Sequence, residues 1–171
     1  MSSSCVSCQN SKASLQCGIC HQSLCKTCAE FLDEGHFSFL SPVPEELSQT
    51  TFCPQCFQEK IAPALLRYEE QKEKAKEILV FFKHQGKETR LISRKESLYK
   101  ISSCPDRDET LLRLAFFAVG AGFNALIDVD LVSEKIRNGS RQHLIWHGSA
   151  RPAHVDVSKL PKDRSLWQNP N

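Results

Sequence analysis

The chain lacks a long hydrophobic run. No stretch approaches the roughly 20 apolar residues that a membrane-crossing helix needs, so membrane insertion is not expected. The opening residues, Met1-Ser-Ser-Ser-Cys-Val-Ser-Cys, have no basic region followed by an apolar segment. No secretory signal is therefore expected, and a cytoplasmic setting is. No G-x-G-x-x-G, no phosphate-binding P-loop and no Ser-His-Asp pattern occurs, which removes the commonest signatures of nucleotide and acyl-transfer chemistry. The first 59 residues are poor in positive charge, with two basic side chains (Lys12, Lys26) against six acidic ones. A phosphate-binding surface needs clustered Lys and Arg, so this segment is not expected to grip phosphoinositide head groups or nucleic acid.

Cysteine is what the sequence has in excess. Eight of the nine fall into four C-x2-C pairs: Cys5/Cys8, Cys17/Cys20, Cys25/Cys28 and Cys53/Cys56. Such a knuckle curls the backbone so that two thiolates face one tetrahedral metal, and eight thiolates suffice for two closed Zn2+ sites. In a reducing compartment this pattern favours metal over disulfides. A segment of this size buries too little apolar surface to fold unaided, so metal binding would supply folding free energy.

Residues 1–57 thus read as a binuclear zinc module. Its longest loop, 29–52, carries Phe31, Leu32, Phe37, Phe39 and Leu40, which are expected to cover the metal sites. His36 reads as a surface residue of that loop. Residues 58–77 predict a linking helix, with Pro63 in its first turn. Ile61, Leu65, Tyr68, Lys72 and Ala75 form a stripe at alternating steps of four and three. Packing on its own protein is the reading preferred over a coiled coil.

Residues 78–157 predict a small α+β domain. Ile78–Phe82 reads as a buried strand; 88–92 and 96–102 read as extended, with Leu91, Leu98 and Ile101 facing a core. A helix over 105–120 opens at Pro105-Asp106, with Glu109 at capping-box spacing. Asn124–Ile136 alternates, placing Ile127, Val129 and Leu131 on one side and Asp128 and Asp130 on the other. Asn138-Gly139 then signals a hairpin, with Arg141–Gly148 returning. The expected arrangement is one antiparallel sheet with the helix across a face. Residues 158–171 read as a flexible tail in which Trp167 can dock.

The spacing Cys17-x2-Cys20-x4-Cys25-x2-Cys28, flanked by a further knuckle on each side, resembles the FYVE-type and FYVE-like cross-brace zinc fingers. That resemblance implies that Cys5, Cys8, Cys25 and Cys28 hold one ion and Cys17, Cys20, Cys53 and Cys56 the other. Membrane-binding FYVE fingers carry a basic run around the third cysteine, here Cys17. Here Ala13-Ser14-Leu15-Gln16 precedes Cys17 and Gly18 follows it, so lipid binding does not carry over. A RING order also fits, with Cys17-x3-His21-x3-Cys25 and His21 replacing Cys20 as ligand. It would imply a ubiquitin-ligase-like module.

The segments Gly120-Ala-Gly-Phe-Asn-Ala-Leu-Ile-Asp-Val129 and Trp146-His-Gly-Ser-Ala-Arg-Pro152 are similar to small bacterial domains of the YbjQ-like family, labelled heavy-metal-binding. This implies a compact, often oligomeric, α+β unit over 78–155. The residues themselves give such a metal role little footing. His143 and His147 lie about 13 Å apart along a strand, and Asp128 and Asp130 about 6–7 Å. Cys104, before a helix N-terminus, reads as a plain thiol rather than a nucleophile.

The expected function is a non-enzymatic adaptor, with two structural Zn2+ ions shaping a protein-binding finger and the chain able to assemble with its own copies. The rivals are the RING-type ligase and nucleic-acid binding through 60–100. That stretch holds eleven basic side chains but interleaves six acidic ones and lacks exposed aromatic stacking signals, which ranks it low.

Overall fold

In the computed structural model, which describes residues 4–10 and 12–159, the chain divides into two compact units between Glu69 and Glu70. In the first, the knuckles leave room for very short strands. β1 (Leu15–Gln16) pairs antiparallel with β2 (Ser23–Leu24), and β3 (Glu30–Phe31) with β4 (Thr51–Phe52). α1 (Pro54–Cys56), a π turn (Phe57–Ile61) and α2 (Ala62–Glu77) follow without a break.

The helical segment starts earlier than 58. Pro54 occupies its first turn, where a missing N–H costs nothing, and the Cys53 sulfur caps it by accepting from Cys56 N at 3.3 Å. Pro63 therefore lies well inside the helix. A proline there cannot donate to the carbonyl of Glu59 and crowds it. The π turn just before it, closed by Ala62 N–H on Phe57 O, widens the helix at that point.

Leu24, Phe52 and Ile61 are buried with Cys5, Cys17, Cys25 and Cys53 in one cluster, which Leu15, Leu32, Leu47 and Leu65 border. The aromatic residues of loop 29–52 do not all join it as expected. Phe31 is 58 % exposed, while Phe37 and Phe39 are buried and stand edge-on to Tyr68, at 5.1 and 6.3 Å between ring centroids. Phe39 N–H donates to the Tyr68 hydroxyl at 3.2 Å. The stripe residues Ile61, Tyr68 and Ala75 are all buried by the chain's own atoms.

The second unit is a four-stranded sheet with α3 (Arg107–Gly120) on one face. Its strands are β5 (Leu79–Phe82), β6 (Tyr99–Cys104), β7 (Ala125–Asn138) and β8 (Arg141–Ala153), in the order β5-β7-β8-β6. The sheet is not wholly antiparallel: edge strand β5 runs parallel to β7. The intervening residues leave β5 and return along the opposite edge as β6, so β5 and β7 enter the sheet from the same end. α3 begins as its residues predict, with the Asp106 carboxylate accepting from Glu109 N at 2.7 Å. Gly148 lets the helix close down on the sheet. A Cβ there would meet Thr110 Cγ2 at 2.7 Å, Leu131 Cδ2 at 2.9 Å and Leu114 Cδ1 at 3.0 Å.

The alternation read along 127–131 is broken by a bulge. Asp128 adopts φ 53, and the β7–β8 register shifts between Ile127 and Asp130. One extra residue reverses the phase of the strand. Ile127 accordingly packs with Phe81, Ala125 and Ala153, while Leu131 faces Gly148 beneath α3. The segment expected to be extended at 88–92 is a run of turns lying over the first of these clusters. Ile92 contributes to it, while Leu91 is 98 % exposed and Leu98 39 %. Arg94 fastens that loop: its guanidinium donates to Asp128 Oδ2 at 2.9 Å and Oδ1 at 3.1 Å, and also to the Thr89 carbonyl and hydroxyl. Val157–Lys159 form a 3-10 turn; the rest of the expected tail, including Trp167, lies outside the described residues. Among those residues no helix is long and apolar enough to cross a membrane.

Candidate metal centres

All four C-x2-C knuckles close in the same way. The N–H of the residue after the second cysteine donates to the carbonyl of the first: Gln9 to Cys5 at 2.8 Å, His21 to Cys17 at 3.0 Å, Ala29 to Cys25 at 3.1 Å and Phe57 to Cys53 at 2.9 Å. In the first two, that residue takes a left-handed backbone, φ 58 at Gln9 and φ 59 at His21. This repeated turn is why the x2 spacing matters. It swings both sulfurs to the inside of one bend.

The sulfurs gather into two quartets, Cys5-Cys8-Cys25-Cys28 and Cys17-Cys20-Cys53-Cys56, each with every ligand atom within 4.8 Å of the others. Cys8 and Cys25 approach to 3.7 Å and Cys20 and Cys53 to 3.8 Å. A tetrahedral Zn2+ with Zn–S of about 2.3 Å sets its sulfurs about 3.8 Å apart, so the cradle has the size of the ion. The quartets interleave along the chain, knuckles one and three sharing a site and two and four the other, a cross-brace. The burial order within each is the same: buried, exposed, buried, half-buried.

Electrostatics separates the thiols within each quartet. Backbone N–H groups of Cys25 and Cys8 draw Cys5 down to about 6 against the opposition of burial. Burial pushes Cys17 up, but backbone donors at Cys20, Cys53 and Ile19 outweigh it and bring Cys17 to about 6. The opposite holds for Cys28, raised to about 12 by hydrogen bonding to Cys25 and Cys8. Cys56 is also raised, by burial first and then by Cys53. Clustered thiolates repel, so without a cation only some can ionise. A dication at the centre removes that conflict.

Gly18 positions the second knuckle. Its N–H donates to Thr51 O at 2.8 Å, and a Cβ would strike Gln49 Cβ at 2.6 Å. This close approach brings Cys17 and Cys20 beside the segment that leads into Cys53. The Cys-Gly step was its only trace in the sequence.

His21 stands outside the second quartet, which takes Cys20 instead, so the ligand set of the RING order is not the one formed. His36 is half-buried rather than on the surface, between Phe37 and Tyr68 with Nε2 3.4 Å from Glu69 Oε1. Asp128 pairs with Arg94, and Asp130 Oδ2 lies 3.7 Å from Lys83 Nζ. His147 meets Glu134 through Nε2 at 3.0 Å and accepts from Ser103 N at 3.4 Å through Nδ1. Cys104 is buried, its sulfur 3.9 Å from Ser102 O. Among the described residues, the two cysteine quartets are the groups of three or more side chains placed to hold a metal ion. No protein-family model, curated protein or solved structure matches this chain.

Proposed function

We propose that the first unit is a structural zinc finger holding two Zn2+ ions, one on Cys5, Cys8, Cys25 and Cys28 and one on Cys17, Cys20, Cys53 and Cys56. The observation that carries this is the pair of interleaved sulfur quartets, each drawn within 4.8 Å. Four-thiolate donor sets suit zinc, and a closed tetrahedral site keeps no position for water or substrate. The zinc is therefore structural and the finger non-enzymatic. The interleaving supports the FYVE-like reading of the scaffold. The missing basic run separates it from lipid-binding fingers.

The finger serves as an adaptor module that presents a surface to a protein partner in a reducing, cytoplasmic compartment. Phe31 and Leu66, 58 % and 64 % exposed, are the large apolar side chains such a partner would cover. The test places a photo-reactive amino acid at either position in the intact protein and maps crosslinks in cells. A partner crosslinked with metal bound and lost on chelation supports the adaptor role. Crosslinking unaffected by chelation argues against it. A ligase role would appear instead as accelerated discharge of ubiquitin from a charged conjugating enzyme, and none is expected.

A further inference from the structure

The β7–β8 hairpin outruns its sheet. β5 pairs with β7 as far as Val129, and β6 with β8 as far as Trp146, whereas β7 and β8 stay paired out to Asn138 and Arg141. Between Ser133/Trp146 and the turn, two strands stand with both edges open. The five residue pairs beyond Trp146 give this ribbon a reach of about 17 Å. Residues 132–144 are exposed apart from Ile136, which is half-buried. The turn is fixed by Gly139 at φ 63, so the tip has a defined shape.

Its chemistry is one-sided. No Asp or Glu occurs between 135 and 155. Lys135, Arg137 and Arg141 lie on the exposed ribbon, and none joins an ion pair among the described residues. The register places Lys135 and Arg137, opposite Leu144 and Gln142, on one face, and Arg141, opposite Asn138, on the other. Glu134, the acid at the base, is engaged by His147 at 3.0 Å. Asn138, Gln142 and His143 add neutral hydrogen-bonding groups. Three unpaired cations on so narrow an arm disfavour edge pairing with a second copy, which would bring like charges together.

We propose that residues 133–146 form a nucleic-acid-binding arm that enters the major groove of duplex DNA, with Arg137, Arg141 and Lys135 on phosphates. The major groove, about 12 Å wide and 8.5 Å deep, admits a two-stranded ribbon. The deep, narrow major groove of duplex RNA does not. This site is distinct from residues 60–100, where acids interleave with the bases. Composition did not single it out because its charges become a projecting cluster only through the hairpin.

Fluorescence anisotropy of the full-length, metal-loaded protein on a labelled DNA duplex of about two turns tests this. Between about 50 and 200 mM salt, three phosphate contacts predict a log–log slope near −2.7. Arg137→Ala/Arg141→Ala is expected to lose at least about tenfold in affinity and to leave a slope near −0.9. Both positions are exposed, so melting temperature and metal content should stay at wild-type values. Absence of wild-type binding at the lowest salt, a slope near zero, or a variant that binds like wild type would overturn the proposal. So would binding to phosphatidylserine vesicles without binding to DNA, since that assigns the cations to a lipid surface.

Discussion

Cys20 and Cys53 are 33 residues apart in the chain, and their sulfurs lie 3.8 Å apart. The second knuckle thus meets the fourth across the whole third knuckle and the 29–52 loop, while the third turns back to the first. Each sulfur quartet closes a loop that contains part of the other's. The few buried apolar groups between them, Leu24, Phe52 and Ile61, are too few to hold the finger without this double closure.

Exchanging neighbours in the second knuckle separates ligand from turn former. Cys20→Ser should release one zinc and leave the other, because it breaks one quartet. His21→Ala should keep both, because His21 contributes its backbone N–H to Cys17 O. His21→Gly should keep both as well, since glycine adopts the left-handed conformation freely. Metal content of the purified variants checks this; loss of zinc in both His21→Ala and His21→Gly would restore the RING order.

Acid should strip the finger. Cys5 and Cys17 titrate near 6, below the ordinary thiol value of about 8.5. A depressed folded-state value contributes stability that is complete above the unfolded value and is lost as pH falls through the folded one. Metal binding acts in the same direction, because protons compete for thiolates. Zinc release followed against pH should show both ions held at neutrality and lost on acidification. A finger that sheds its metal on raising the pH instead would contradict the assignment.

Thiol-directed reagents should start at Cys8 and Cys20, the exposed member of each quartet. Partial alkylation followed by peptide mapping is expected to find these two labelled first in the metal-loaded protein. Early labelling of Cys5 or Cys17 would show that the quartets are open.

In the second unit, Gly148→Ala should destabilise by about 1–3 kcal/mol, because its Cβ would meet three side-chain atoms at 3.0 Å or less, which must shift to admit it. Gly86→Ala, whose nearest neighbour is a carbonyl at 3.6 Å, serves as the control and should melt close to wild type. Comparable melting of the two variants would show that α3 does not close down on β8 as described.

Asp128→Asn keeps a residue that tolerates the left-handed bulge but removes the charge that Arg94 grips. For this partly exposed pair a loss of about 1 kcal/mol is expected. The loop would also be freed, so trypsin should cut faster at Arg90 and Lys95. An unchanged rate of nicking would mean that Ile92 alone holds the loop.

The metal knuckles could be read directly from the chain because their chemistry is local: a C-x2-C turn needs four residues. The interleaving of the sites came only from likeness to cross-brace fingers, since spacing does not say which knuckle meets which. The helix at 107–120 was likewise legible from its capping residues, and the hairpin from Asn138-Gly139, although its two turn residues are Gly139 and Ser140 with Asn138 still paired to Arg141. The parallel edge was not, because the apolar run Ile78–Phe82 suits either direction and its sense is set by where β6 returns. Asp128 misled the alternation for a related reason. An aspartate between apolar neighbours reads as an outward strand residue, and only its partner Arg94, 34 residues away, reveals the bulge.

Native mass spectrometry of the intact, reduced protein reads the two metal sites at once. Two Zn2+ per chain are expected, one of them lost from Cys8→Ser or Cys25→Ser and the other from Cys20→Ser or Cys53→Ser, with the finger unfolding when a chelator removes both. A chain that binds no zinc, or a finger that keeps its fold after the metal is stripped, would contradict this.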